Sequence, residues 1–334
     1  MPSPSRICTA PGPDRDWAFD VLRLVAALAV IVAHSPGLDH VPDWSLPLRF
    51  AVPYFCCTAV HFAFVQYGKR RPPIALREYF DDRFERVYRP FAIWSLAYVF
   101  TQLAAYWAGI ADSEPTLGIQ LFLLGGAAHL WFIPYILVAG LAAYTVLPLA
   151  SRRPGAFGAA AALVALGLSA WQYWTPGRPE DLPLPPQLVA RSTAIFAGFA
   201  IAAWVLGLEL SPSTRRLVGI IGIAFAATCS WLAVSNGGSR VMWGSVIGVS
   251  AYCACLGGWR QGWMRTVGAL GPYSLGVYFA HYVFIEGYED IARKLLGLEI
   301  DPIVNVGLVL LSIASAITVV WALARRDATR FLVR

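Results

Sequence analysis

"FDVLRLVAALAVIVAH", Phe19 to His34, holds ten consecutive residues without a polar side chain between Arg23 and His34. A run of this kind reads as part of a membrane helix, because a helix satisfies its own backbone N–H and C=O groups where no water is present. Ionisable side chains at that depth cost at least about 2.5–3.5 kcal/mol and turn toward the protein interior. Asp20, Arg23 and His34 therefore need a common direction. At ~100° per residue, the steps from Arg23 to His34 return to within about 20° of the starting direction, with the two side chains roughly 16 Å apart along the axis. Asp20, three residues before Arg23, lies on the same stripe and can pair with it. Each residue also has a plainer reading. Arg23 can snorkel to the headgroups, and His34 can simply mark the end of the helix.

The rest of the chain extends this picture. It is 57% hydrophobic and 14% charged, with a mean hydropathy of +0.57; a soluble domain carries about 25% charge. Long solid apolar blocks, rather than the alternation of a β-barrel, predict an all-α polytopic membrane protein. About ten transmembrane helices are expected, over 17–34, 46–67, 87–110, 129–150, 155–173, 190–209, 216–234, 240–256, 270–286 and 303–324. The block Leu117 to Gly126 is too short to span and is expected to lie at the interface or re-enter. With the N-terminal side taken as inside, 19 of the 26 Lys and Arg residues fall on inner segments. The outer loops are rich in Asp and Glu, including Asp39, Asp112, Glu180 and Asp301. The positive-inside rule then puts both termini in the cytoplasm and the protein in the inner membrane of the cell.

The polar, Pro-rich start lacks a cleavage pattern after span 1, so that span is expected to stay. The chain divides into a cytoplasmic segment (1–16), a membrane domain (17–324) and a cytoplasmic tail (325–334). The net charge of +6 sits in loops and does not suggest nucleic acid. Of the six Cys, none forms a CxxC pair, and they read as small buried hydrophobes rather than as a metal site or disulfide framework. No internal repeat of the kind seen in many carriers is visible.

A second polar element is "DDRFERVYRPF", Asp81 to Phe91, with Arg83, Arg86 and Arg89 three residues apart. On a helix this makes a basic ridge, and Pro90 is expected to bend or begin the next span. Arg forks grip phosphate, and the same ridge can anchor to anionic lipid. His61 stands alone in span 2 and reads as structural. "HLWFIPY", His129 to Tyr135, opens span 4 where an aromatic belt is expected, so Trp131 and His129 read as interfacial. "SLGVYFAHYVFIE", Ser274 to Glu286, places Tyr278 and a deeper His281 in span 9.

Together these segments resemble the signature of the acyltransferase family 3 membrane enzymes. "FDVLRLVAALAVIVAH" is similar to their first-span pattern of Asp, Leu-Arg, an apolar run and His. "RFERVYRP" resembles their Arg-x-x-Arg motif, "HLWFIPYIL" the start of their fourth span, and "YSLGVYFAH" their late Ser-x-Gly…His segment. One departure is Leu24, where the family usually has Gly. The lack of a fused hydrolase-like domain points toward the stand-alone surface-polysaccharide type.

The resemblance implies transfer of an acyl group, most often acetyl from acetyl-CoA, to a hydroxyl of a carbohydrate or glycan-like acceptor. His34 would be the base, with Arg23 and Asp20 its span-1 partners. Arg83, Arg86 and Arg89 would meet the donor, and His129, Trp131, Tyr278 and His281 would contact substrate or support the site. Acyl-CoA would be a co-substrate rather than a permanently bound cofactor. The competing reading is a proton-coupled transporter that uses the Asp20/Arg23/His34 seam as a relay.

Overall fold

The computed structural model describes residues 16–35, 43–69, 73–110, 118, 120–127, 129–174, 184–236 and 239–333. Most of the N-terminal segment, including Cys8, and the Pro-rich stretch 175–183 lie outside them. Among the described residues every regular element is a helix. The principal helices are α1 (Trp17–Ala33), α2 (Ala51–Lys69), α3 (Arg89–Trp107), α4 (Phe132–Arg152), α5 (Pro154–Trp174), α6 (Thr193–Ala202), α7 (Pro212–Asn236), α8 (Arg240–Cys255), α9 (Ser274–Asp290) and α10 (Pro302–Ala324). Among the described residues, six helical stretches are long and apolar enough to cross a membrane: Ser45–Gly68, Phe132–Arg152, Pro154–Trp174, Leu188–Gly207, Pro212–Asn236 and Pro302–Ala324. Six is the number that length and composition establish, and α1, α3, α8 and α9 are not among them.

The core is built around α2, whose Tyr54, Cys56, Cys57, Val60 and Ala63 are fully buried. It packs against α4, α6 and α8, while α1 lies on α9 and α2. The outer helices α5, α7 and α10 instead expose Leu163, Ile220, Ile221 and Leu310, as helices facing lipid do.

α1 is bounded by its own ends. Asp16 caps it by accepting the Ala18 N–H at 3.1 Å, and Pro36 follows shortly after its last turn, where a helix is disfavoured. Upstream of α3 the chain is already helical, from Leu76 through a π-helical turn at Phe84–Tyr88. Pro90 sits in the first turn of α3, just after that π-helical turn, so the helical run changes from π to α at this proline rather than starting there.

Two segments outside the long helices shape the interior. Among its described residues the Leu117–Gly126 block holds a short helix, Gln120–Leu124. It ends at Gly125, with φ 88°, and at Gly126, where an added Cβ would lie 2.2 Å from the Ser95 carbonyl oxygen. Only glycine lets the chain cross α3 so closely. The crossing carries the following residues inward, so His129 is buried at 2% exposure and Leu130 at 0%. His129 is thus an interior residue and not part of an interfacial belt. At the other end, residues after α10 fold back onto the bundle. Val333 is fully buried, and the Trp94 indole donates to the Leu332 carbonyl at 3.1 Å.

Candidate functional site

Three of the five histidines in the chain meet where α1 ends. The His34 ring centroid is 6.2 Å from that of His129 and 6.1 Å from that of His281, and His129 and His281 are 4.9 Å apart. α1 contributes the first, the inward crossing after Gly126 the second, and α9 the third. Sequence spacing could not have grouped them, because the grouping depends on that glycine-dependent crossing.

Hydrogen bonds to neighbouring backbone fix two members of the cluster. His281 Nδ1 lies 2.7 Å from the Tyr278 carbonyl oxygen. A carbonyl only accepts, so Nδ1 carries the proton and Nε2 presents a lone pair. That Nε2 and both ring nitrogens of His129 are buried without a well-formed hydrogen bond among the described residues. The Tyr278 hydroxyl donates to the His129 carbonyl, so it positions His129 while its oxygen can still accept. Tyr98 donates to the Phe279 carbonyl at 2.6 Å and accepts the Val283 N–H at 3.2 Å. Its hydroxyl is inserted into the helix rung that brackets His281, the kind of insertion that kinks a helix. Tyr282 packs on the other side, 4.7 Å from the His129 ring. Beside this cluster is a cavity of about 190 Å³ lined by His34, His129, Trp131, Arg49 and Arg191 among others.

A second cavity, of about 290 Å³, lies at the Arg23 end of α1. Arg23, Arg83 and Arg86 reach it, and most of its other lining is apolar. Arg23 pairs with Asp20 at 3.5 Å, on the shared stripe expected from helical spacing, and lies over the Phe62 ring. Arg83 donates to Gln66 Oε1 at 2.8 Å and lies 5.2 Å over the Tyr79 ring. Arg86 pairs with Asp82 at 2.8 Å. Arg89, the third member of the ridge, lines neither cavity. It is turned to Glu85 at 2.7 Å and to the face of Phe331.

The two cavities share a wall, since Phe132 and Tyr278 line both. One helix thus presents Arg23 to one space and His34 to the other. This arrangement can hold an anionic head group at one end, lead a thin apolar arm toward the shared wall, and offer an imidazole beyond it. His61 takes no part. It is hydrogen-bonded through Nδ1 to the Tyr252 hydroxyl at 3.1 Å and stacked on Phe19, the structural role read for it.

Sequence reasoning left Arg49 and Arg191 at span edges, Tyr98 inside span 3 and Tyr282 inside span 9. The signal that could have marked the arginines is their place on the acid-rich side, where a membrane anchor is least expected.

No curated protein and no solved structure matches the chain. The model of one family, described as an acyltransferase domain, matches residues 16–325. The match covers nearly the whole chain, and the protein therefore belongs to acyltransferase family 3 and is a membrane acyltransferase.

Proposed function

We propose that the protein moves an acyl group, acetyl in the simplest case, from cytoplasmic acyl-CoA to a hydroxyl of a carbohydrate acceptor at the outer side of the inner membrane. The observation that carries this reading is the pair of back-to-back cavities on α1, one reached by three arginines and the other by His34. The loop charges orient the pair. In this reading the chain crosses the membrane ten times with both termini inside, the arginines face the cytoplasm and His34 faces outward.

In the proposed reaction Arg83 and Arg86 hold the phosphates of the donor, and the pantetheine arm runs along the apolar slot toward Phe132 and Tyr278. The acceptor oxygen attacks the thioester carbonyl while His34 removes its proton, a task suited to imidazole near neutral pH. The C–O bond forms, the tetrahedral oxyanion collapses and the C–S bond breaks. The proton on His34 passes to the departing CoA thiolate. His129, which lines the same cavity as His34, is assigned here as the donor to the oxyanion. The transporter reading of the same seam is the weaker, because the chain belongs to an acyltransferase family.

The test is His34→Ala in nanodiscs, at equal protein level, with labelled acyl-CoA and an envelope glycan extract as acceptor. Transfer should fall by about 10²–10⁴-fold while acyl-CoA still binds. Transfer at the wild-type rate would remove His34 from the mechanism.

A further inference from the structure

The donor slot and the His34 cavity are separate spaces. The proposed transfer needs a thioester carbonyl from one to meet an oxygen attacking from the other. Among the described residues, only Phe132 and Tyr278 line both, so whatever passes must pass these two side chains.

The two are held differently. The Tyr278 hydroxyl donates to the His129 carbonyl, and Tyr98 grips the same stretch of α9 through the Phe279 carbonyl and the Val283 N–H. Turning Tyr278 aside therefore breaks a buried hydrogen bond. The Phe132 side chain has no polar atom. Its ring sits among those of Phe55, Trp131 and Tyr278, with centroids 5.8, 6.1 and 6.2 Å away. The backbone beneath it is firmly set. The Leu130 N–H donates to the Ala127 carbonyl and the Ile133 N–H to the Leu130 carbonyl, each at 3.0 Å. Three residues on, the Tyr135 hydroxyl lies 3.1 Å from Ser192 Oγ. Phe132 is the first residue of α4 and is 3% exposed. A fixed backbone thus carries one aromatic ring between the spaces, and that ring can turn without breaking a hydrogen bond.

The two sides of the ring also differ in polarity. Phe55, Ile133, Ile136 and Leu275 line the donor slot with it, a surface that keeps water from a bound thioester. The other cavity is lined by His34 and two arginines, polar groups of the kind that hold water.

We propose that Phe132 is the partition of the reaction: the bulk of its ring decides which acyl groups pass from the donor slot to His34, and it shields the thioester from water on the His34 side. Phe132 determines specificity and moves no proton. The inference rests on the acyl-transfer reading above and deepens it by naming the residue that restricts the donor to short acyl groups. One methylene in a close-fitting pocket is worth about 10–200-fold, so the two that separate butyryl from acetyl are enough for a ring to discriminate. Where water takes the place of the acceptor, its oxygen attacks the thioester carbonyl and the C–S bond breaks. The carboxylic acid and the CoA thiol then leave, each with one proton of that water.

The test compares wild type, Phe132→Leu and Phe132→Ala in nanodiscs, with labelled acetyl-CoA or butyryl-CoA as donor and an envelope glycan extract as acceptor. Label on the glycan reports transfer, and CoA thiol release is followed with and without acceptor. Wild type should prefer acetyl over butyryl by at least about tenfold. The Leu variant should lower that ratio and the Ala variant should lose most of it. The ratio of acceptor-independent thiol release to transfer should rise severalfold in the Ala variant. Both readouts are ratios within one protein, so a mere loss of folded protein does not move them. Acyl-CoA binding checks that each variant is folded, and the Leu variant, which keeps most of the apolar volume, decides the matter if the Ala variant fails that check. A wild-type acetyl preference retained in the folded variants would overturn the partition and leave acyl transfer standing, as would equal use of both donors by wild type. A wild-type protein that binds both donors, labels no glycan and releases no thiol would remove the acyl-transfer reading, and the partition with it.

Discussion

The two ends of α1 differ in how far their buried polar atoms are already satisfied. At the Arg23 end each cation that reaches the cavity already has an intramolecular partner: Asp20 for Arg23, Gln66 for Arg83 and Asp82 for Arg86. At the His34 end, buried ring nitrogens of His129 and His281 have no such partner among the described residues. A phosphate arriving at the first site exchanges one set of hydrogen bonds for another, so the net gain per contact is small. The second site instead keeps the ring nitrogens of His129 and His281 buried at an uncompensated desolvation cost. The first arrangement suits a donor that must come and go with each turnover.

That contrast breaks most visibly at His129. His129→Phe keeps a ring of similar shape and removes both nitrogens. If the orphaned nitrogens serve the oxyanion, kcat should fall by about 10²–10³-fold, with the acyl-CoA KM close to wild type. A variant that instead became more stable and stayed active would mean that His129 only fills space. Arg86→Gln tests the other end. Its guanidinium is largely exposed and already paired, so the loss should be modest, with the acyl-CoA KM rising about tenfold at little change in kcat. A drop confined to acceptor KM would separate Arg86 from the donor. If His129→Phe and Arg86→Gln gave the same kinetic signature, the division between the two cavities would itself be wrong.

How much of this was legible in advance follows from the range of the interactions. The Asp20–Arg23 pair and the separation of Arg23 from His34 are properties of one helix, and 3.6-residue periodicity is enough to read them. The Arg83/Arg86 pair was likewise visible as a short-range pattern, although Arg89 was not separable from it. A π-helical turn at Phe84–Tyr88 precedes Arg89, whose side chain meets Glu85 and Phe331. The histidine cluster joins residues 34, 129 and 281 through a backbone crossing that only Gly126 allows, and nothing local announces such a contact. The same holds for Tyr98, whose hydroxyl acts on a helix 181 residues away in sequence. Arg49 and Arg191 were visible but misleading, since an arginine at a span edge has an ordinary explanation as an anchor.

The smallest expected effect sharpens the comparison at the very start of α1. Asp16 caps that helix and lies outside the membrane-spanning segments, and burial lifts its carboxyl to about 6 against the pull of the Ala18 N–H bond. The unfolded chain would release this proton near an ordinary value of about 3.9. The folded state therefore holds a proton that the unfolded state gives up, and stability falls as pH rises from about 4 to about 6 and levels off above. Asp16→Asn keeps an equally good cap and has nothing to ionise. Its melting temperature should match wild type near pH 4 and exceed it by a few degrees above pH 7, as burying a charge without full compensation predicts. A constant gap across that range would mean that the carboxylate is satisfied where it sits. The pH profile of turnover, if it is set at the His34 end, should be the same in both proteins, because an uncharged cap leaves the far end of the helix untouched.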